Sequence, residues 1–451
     1  MPPFRVLIAG GSITGLSLAL MLEANKIDFL VLEAYPNIAP EVGASLAFQP
    51  NGFRILDQLG CYDELLEHTK GHEVQESIYR SPSGDRLWDM NKLSGEMMER
   101  HGYPLAFMDR QTALRTLFSK VQDKSKILTG KRIKTVDNSN PALVKVITTD
   151  GSMYSGDIVV GADGAHSTIR REMARLDIGT GRDYLEKESI CPTYVCVFGI
   201  SRRTPGIDLC TFHNVFNDKF SYLIADGPGD RTYSFLFEHI DRARVGQGSP
   251  QLTEKDRDEI VARHLDDRIT HDVKFDDIYG RRIRSGVTSL PEHAHKHWHF
   301  GRMITLGDAS HKLHPLNGQG ANSCLETAAC FTNGLVKLLR SKSPEAPVSE
   351  EEISHMFETV QQARLPRVRQ LIQVAHSLQR LYSMDSPKLK SYVAKHIPSL
   401  PVETIYSGWL SLFPPAVSLD MLPLPRKPHK VPYHDELEAQ DNKGVRQRSK
   451  L

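Results

Sequence analysis

The stretch FRVLIAGGSITGLSLALMLEANKIDFLVLE, residues 4–33, decides the fold. Phe4 to Ala9 is an apolar run suited to a parallel strand buried on both faces. Gly10-Gly11-Ser12-Ile13-Thr14-Gly15 is a glycine-rich turn, and Leu16 to Ala24 has helical composition. Phe29 to Leu32 is a second apolar strand, ending at Glu33. Strand, turn, helix and strand in this order demand a parallel sheet. Gly10 permits the tight turn, and Gly15 lets helix and strand approach closely. The helix start offers unpaired N–H groups and a positive dipole end to a pyrophosphate. Glu33 is placed to accept hydrogen bonds from ribose hydroxyls, the usual context of a dinucleotide site. Ser12 stands where a middle glycine is usual. Its side chain either points away from the pyrophosphate or donates to it.

Working outward, Asn51 to His68 reads as helix, and Arg110 to Val121 as an amphipathic helix with Leu114, Leu117 and Phe118 on one face. From Ile127 the period shortens. Ile127-Leu128, Val144 to Ile147 and Tyr154 to Val160 read as strands. Tyr194 to Ile200, Phe220 to Ala225 and Thr232 to Phe237 form a strand-rich stretch that reads as a second sheet layer, inserted into the first domain. Ser349 to Met384 is helical in composition, with Pro366 expected to kink it.

Two further motifs follow apolar strands. Gly161-Ala162-Asp163-Gly164-Ala165-His166-Ser167, with Arg170 shortly after, places an Asp-Gly turn at the carboxyl end of the strand Ile158 to Val160. Ligands bind at such strand ends in open α/β sheets. Gly307-Asp308-Ala309-Ser310-His311 follows the buried run Met303 to Leu306. Asp308 there is suited to a sugar-alcohol hydroxyl. Pro315, Gly318-Gln319-Gly320-Ala321-Asn322 and Glu326 come next, and they would open a helix with its positive end toward an electron-rich ring.

The composition bounds the function. The chain has 451 residues, 40% hydrophobic and 25% charged, with 56 basic against 55 acidic side chains. That length suits two to three domains, or one large α/β body with an insertion. The near-neutral balance leaves no global field to attract nucleic acid or an anionic membrane. Cys61, Cys191, Cys196, Cys210, Cys324 and Cys330 form no C-x-x-C pair, so reduced thiols in an intracellular protein are expected. The run Val6 to Leu22 is interrupted by glycines, and no transmembrane segment is expected.

The three motifs in this order resemble the group A flavoprotein monooxygenases, over about Phe4 to Pro425. The resemblance is nearest to fungal paxilline and meroterpenoid epoxidase-like enzymes, through Gly-Gly-Ser-Ile at the turn, Pro50-Asn51-Gly52, Ile55 to Gly60, and Leu419 to Pro423. It implies an α/β fold: a Rossmann-like FAD-binding domain, an inserted β-sheet-rich substrate domain and a C-terminal helical region. The divisions expected are 1–175 for the first part of the FAD-binding domain, with some substrate strands near 72–108. The substrate sheet follows at 176–290, the second FAD part at 291–345, helices at 346–425 and a disordered tail at 426–451.

The resemblance also implies FAD as cofactor and NADPH as co-substrate. One oxygen atom of O2 enters an organic secondary metabolite, by epoxidation of a prenyl or terpenoid alkene or by aromatic hydroxylation. A flavin-binding protein without oxygenase activity is the remaining alternative. The implied cofactor contacts are Gly10, Gly11, Ser12, Gly15, Glu33, Ala47, Arg110, Asp163, Gly307, Asp308, Gly320, Ala321 and Asn322, with Asp163 also serving NADPH. Phe216 stands where relatives often carry a tyrosine, so no catalytic residue is assigned.

Some features stand apart. His293, His295, His297 and His299 alternate, but no carboxylate or cysteine in sequence completes a metal site. His311 and His314 are better explained by the motif they sit in. His213 and Tyr222 fit either a substrate contact or a structural role. Ser449-Lys450-Leu451 is the peroxisomal address tripeptide, read by an import receptor, so a peroxisomal location is expected, with the cytoplasm as alternative.

Overall fold

The computed structural model describes residues 4–41, 43, 45–186, 192–240, 252–343 and 346–439. Cys191 and the Ser449-Lys450-Leu451 tripeptide lie outside them. A six-stranded sheet forms the first layer, in the spatial order His299–Phe300, Met303–Thr305, Ile158–Gly161, Arg5–Ala9, Asp28–Leu32 and Ile127–Leu128. The central strands are parallel. All three motifs therefore leave the sheet at the same, carboxyl edge.

The unbroken apolar run Val6 to Ala9 now has its reason. Val6 and Ile8 face one core, beneath the helices Ile13–Ala24, Arg110–Lys120 and Gly320–Arg340. Leu7 and Ala9 face another, shared with the three-stranded sheet of residues 133–156 and the helix Thr168–Leu176. A strand covered on both sides has no place for a polar residue.

Seven strands form the second sheet: Arg282–Ser289, Tyr194–Arg202, Arg231–His239, Phe220–Gly227, Thr211–Phe216, Glu76–Arg80 and Arg86–Asn91. Two come from before the 133–156 region, so the insertion is interleaved with the first domain. Side chains alternate between its faces. Cys196, Leu223, Phe235 and Phe237 face the first domain and the C-terminal helices. Val195, Tyr222, Ile224 and Leu236 face outward under Glu254–Ala262 and Phe275–Tyr279.

Pro366 lies inside the helix Glu350–Tyr382, where it removes one backbone donor. Two expectations change in detail. The helical stretch 51–68 is two helices, Pro50–Gln58 and Tyr62–Glu67, parted by Gly60 at φ +68°. The tail expected to be disordered from 426 is folded over 426–439. Residues 434–439 are helical, and Tyr433 is buried, its hydroxyl donating to the His101 carbonyl (2.9 Å). Buried Arg54 stacks on the Tyr433 ring, 4.0 Å from its centroid, and donates to Asp435 at 2.8 and 2.9 Å. Polar composition misled because these residues pair with partners far away in sequence. Residues 440–451 lie outside the described part.

Among the described residues no helix is long and apolar enough to cross a membrane. The cysteines described, Cys61, Cys196, Cys210, Cys324 and Cys330, are all free.

The docked tail is testable. Tyr433→Ala removes a fully buried ring and is expected to cost about 3 kcal/mol of unfolding free energy in urea denaturation. An unchanged midpoint would show that the segment does not stabilise the fold.

Candidate active site

A cavity of about 860 Å³ opens where the carboxyl edge of the first sheet meets the inner face of the second. This is within the ordinary size range of ligand sites. Gly10, Gly11, Ser12, Glu33, Ala47, Arg110, Asp163, Asp308, Gly320 and Ala321 all line it. Gly15, Gly307 and Asn322 do not.

Each of those three has a structural task. A Cβ at Gly15 would lie 1.9 Å from the Gly10 carbonyl oxygen. Gly307 holds φ +61°, and a Cβ there would meet the Thr14 hydroxyl at 2.4 Å. Asn322 is fully buried and clamps the wall. Its Nδ2 donates to the Ala47 and Gly318 carbonyls (3.0 and 2.7 Å), and its Oδ1 accepts from the Gln49 N–H (3.1 Å).

At the first turn, Glu33 accepts from the Gly11 N–H (2.5 Å) and the Tyr35 N–H (2.7 Å), one on each oxygen. Each carboxylate oxygen keeps a lone pair for a hydroxyl donor. The Ser12 side chain neither caps the helix nor stands alone, because its Oγ accepts from Arg110 Nη2 at 2.7 Å. Arg110 sits within electrostatic reach of Glu33 and Asp308. The start of Ile13–Ala24 is left uncapped by any side chain, and so is the start of Gly320–Arg340. Both helix starts face the cavity and offer N–H donors and positive dipole ends.

Asp163 does double duty. One oxygen accepts from the Thr168 and Ile169 N–H groups (2.6 and 3.1 Å), tying down the helix Thr168–Leu176. The other is buried without a partner, and burial raises the carboxyl pKa. Ser45 Oγ, also in the cavity wall, is likewise buried and unpartnered. Two orphaned polar atoms, two open helix starts and glycine-lined turns suit a long ligand with an anionic middle and hydroxyl groups.

Sequence reading missed what holds the motifs together. Arg170 is buried and donates to the Ala309, His297 and Tyr184 carbonyls (2.7, 2.9 and 3.1 Å) and to Thr305 Oγ1 (2.6 Å). It thereby locks the second motif to the third. Behind the Gly318–Gly320 turn, Glu326 is fully buried and meets Arg364 and Arg367, each at 2.6 Å. Asn51 donates to Glu326 (2.7 Å) and to Gln319 (2.9 Å). The two arginines outweigh the burial and hold the Glu326 carboxyl at about 2. Arg170 and Glu326 stand beside the motifs in sequence, but no local pattern marks their partners, which come from different elements.

Several side chains fall elsewhere. His213 is buried on the far face, between Arg80 (2.9 Å) and Thr211 (3.0 Å). The Tyr222 hydroxyl donates to Asp267 at 2.7 Å, also away from the cavity. Phe216 packs between Tyr79 and Tyr382. The alternating histidines do not share one strand. The His293 and His295 rings meet at a tilt with centroids 4.4 Å apart, while His299 meets Glu358. Among the described residues no group of three or more His, Cys, Asp and Glu side chains could hold a metal ion.

Buried neutral imidazoles make a pH prediction. Burial lowers His213, His311 and His314 to about 3, His101 to about 4 and His293 to about 2, from 6.5. Below pH 6.5 the unfolded chain takes up protons that the folded chain refuses, so stability falls as pH drops. Burial also lowers His166, His295, His297 and His299. His264 and His376, raised by neighbouring carboxylates, and Asp157, Asp163 and Asp420, raised by burial, act oppositely but are outnumbered. Glu326 stays charged in this window. The urea midpoint is expected to fall steadily from pH 7.5 to 5, and a flat profile would refute the neutral state of these imidazoles.

Comparison with known proteins agrees with this geometry. The model of the FAD binding domain family matches residues 4–374. The FAD-dependent monooxygenase olcE of Penicillium canescens is 35% identical over 431 residues, spanning 94% of this chain and 90% of that protein. The FAD-dependent monooxygenase andE of Emericella variicolor is 37% identical over 396 residues, spanning 87% and 83%. Among solved structures, Klebsiella pneumoniae HpxO complexed with FAD and uric acid aligns with a TM-score of 0.69 at 21% identity, covering 90% of this chain and 95% of that one. PqsL of Pseudomonas aeruginosa aligns with a TM-score of 0.65 at 20% identity, covering 87% and 99%. At these identities the two structures speak for the fold. The curated relatives and the family match go further: the chain belongs to the FAD-dependent monooxygenases and is an enzyme of that family.

Proposed function

We propose that the enzyme uses FAD and NADPH to insert one oxygen atom of O2 into an apolar secondary metabolite, by epoxidation of a prenyl or terpenoid alkene. The observation that carries this reading is the chemistry of the cavity's second half. The second sheet and its flank supply Cys196, Phe198, Phe212, Leu223, Phe235, Phe237, Thr288 and Leu290, and Phe107 closes the same space. Among the described residues, the sole ionisable group this sheet gives the cavity is the Cys196 thiol, pushed far up by burial. A phenol gains from a base that removes its proton, whereas an alkene has no proton to lose. An apolar chamber without a base therefore favours the alkene.

Bound FAD supplies the activation of O2, chemistry that no side chain here provides. The chain's part is to bind and orient. In this reading the Gly10–Ser12 turn and the start of Ile13–Ala24 face the pyrophosphate, and Glu33 holds the adenosine ribose. Asp308 takes the ribityl hydroxyls, and Ala47, Gly320 and Ala321 border the flavin ring. All of these groups line one cavity, which supports the assignment. Phenylalanines around the substrate exclude water and hold the reacting carbon in place. Asp163, on the same wall, is assigned to NADPH as well as FAD.

Purified enzyme given NADPH, a panel of prenylated phenols and isotopically labelled O2 is expected to yield an epoxide carrying one labelled atom. Unlabelled product would refute oxygen insertion, and a ring-hydroxylated product would move the reading to aromatic hydroxylation. We also read Ser449-Lys450-Leu451 as a peroxisomal address, on sequence alone. A fluorescent protein ending in residues 440–451 is expected to collect in peroxisomes, and diffuse fluorescence would overturn that reading.

A further inference from the structure

Asp109 is the N-cap of the helix Arg110–Lys120, a position where aspartate normally accepts from the helix's own first N–H groups. Here it makes no such bond. Its Oδ1 accepts from the Tyr233 hydroxyl at 2.6 Å, and its Oδ2 pairs with Arg231. Both partners belong to the strand Arg231–His239 of the substrate sheet. The helix has thus given up its own cap to a contact across the two domains.

That contact lies between two functional surfaces. Arg231, Tyr233, Phe235 and Phe237 alternate on one face of their strand, and Phe235 and Phe237 line the apolar chamber. Two residues before Asp109, Phe107 also lines the chamber, and its ring packs on Phe212 and Tyr233 at 5.3 and 5.2 Å. One residue after Asp109, Arg110 reaches the opposite way, to Ser12 in the nucleotide-facing turn. The next residue repeats the pattern: Gln111 accepts from Arg284 of the substrate sheet at 3.4 Å and donates to the Pro40 carbonyl at 3.2 Å.

We propose that Asp109, gripped by Tyr233 and Arg231, is a positioning residue that sets the Arg110 guanidinium in the cofactor cavity, so that the chamber wall and the hold on FAD move as one unit. Tyr233 is fully buried, and the bond it donates goes to a charged acceptor, the stronger kind. Losing the hydroxyl alone frees the start of the helix without emptying the core.

The test is a double-mutant cycle on FAD release from the holoenzyme, followed by the rise in flavin fluorescence on dilution. Tyr233→Phe is expected to speed release about tenfold. Combined with Arg110→Ala, the same change is expected to add less than twofold, because the group through which it acts is gone. Arg231→Gln, at the more exposed edge of the same carboxylate, gives an independent arm and is expected to show the same dependence on Arg110. Equal factors in both backgrounds would assign Tyr233 and Arg231 to domain packing alone and overturn the proposal. Unchanged release in both single variants would overturn it as well.

Discussion

A Cβ atom at position 15 would lie 1.9 Å from the Gly10 carbonyl oxygen, and one at position 10 would lie 2.6 Å from the Ala162 carbonyl oxygen. The rest of the site depends on this close approach. It brings the start of Ile13–Ala24 against the first strand, and it presses the first turn against the loop that carries Asp163. With side chains at either position the turn would open, and the helix N–H groups would no longer face the cavity. The glycines therefore act by what they lack, and Gly10 also acts through its positive φ.

Around that turn, two buried charged groups hold distant segments in register. Arg170 makes four hydrogen bonds, all to neutral oxygens, and the one to the Ala309 carbonyl links the second motif to the third. Glu326 ties the helix Gly320–Arg340 to Glu350–Tyr382 through two arginines and to the start of Pro50–Gln58 through Asn51. Buried charges of this kind are costly when their partners are lost. They keep the cavity-lining loops at fixed positions, while the cavity walls retain unpaired donors and acceptors. The stiffness lies behind the site, and the binding capacity lies at its surface.

The cavity has two chemical halves because it is built by two sheets. The first contributes strand ends, turns and helix starts, which are polar by nature. The second contributes one face of an antiparallel sheet, where alternation places phenylalanines inward and leaves the opposite face to its own core. Which face a strand residue takes is a matter of one position. His213 sits next to Phe212 and Tyr222 next to Leu223, yet only Phe212 and Leu223 reach the cavity. Sequence left both His213 and Tyr222 open as substrate contacts, and register turned both away from the cavity.

Read alone, the amino-acid order determined the parallel sheet, the glycine turn and the three strand-end motifs. These are local: a strand, its turn and the next helix are adjacent in the chain and obey short-range rules of backbone sterics and hydrophobic period. Of the thirteen contacts expected from it, the structure brings ten to the wall of one cavity. Tertiary structure alone decided the rest. Asn322 became a clamp, residues 426–439 docked on Arg54, and Asp109 turned away from its own helix toward Tyr233. Each of these outcomes rests on a polar group finding its partner across a long chain separation. Buried polar groups must be paired somewhere, but the chain does not encode locally where that partner will be.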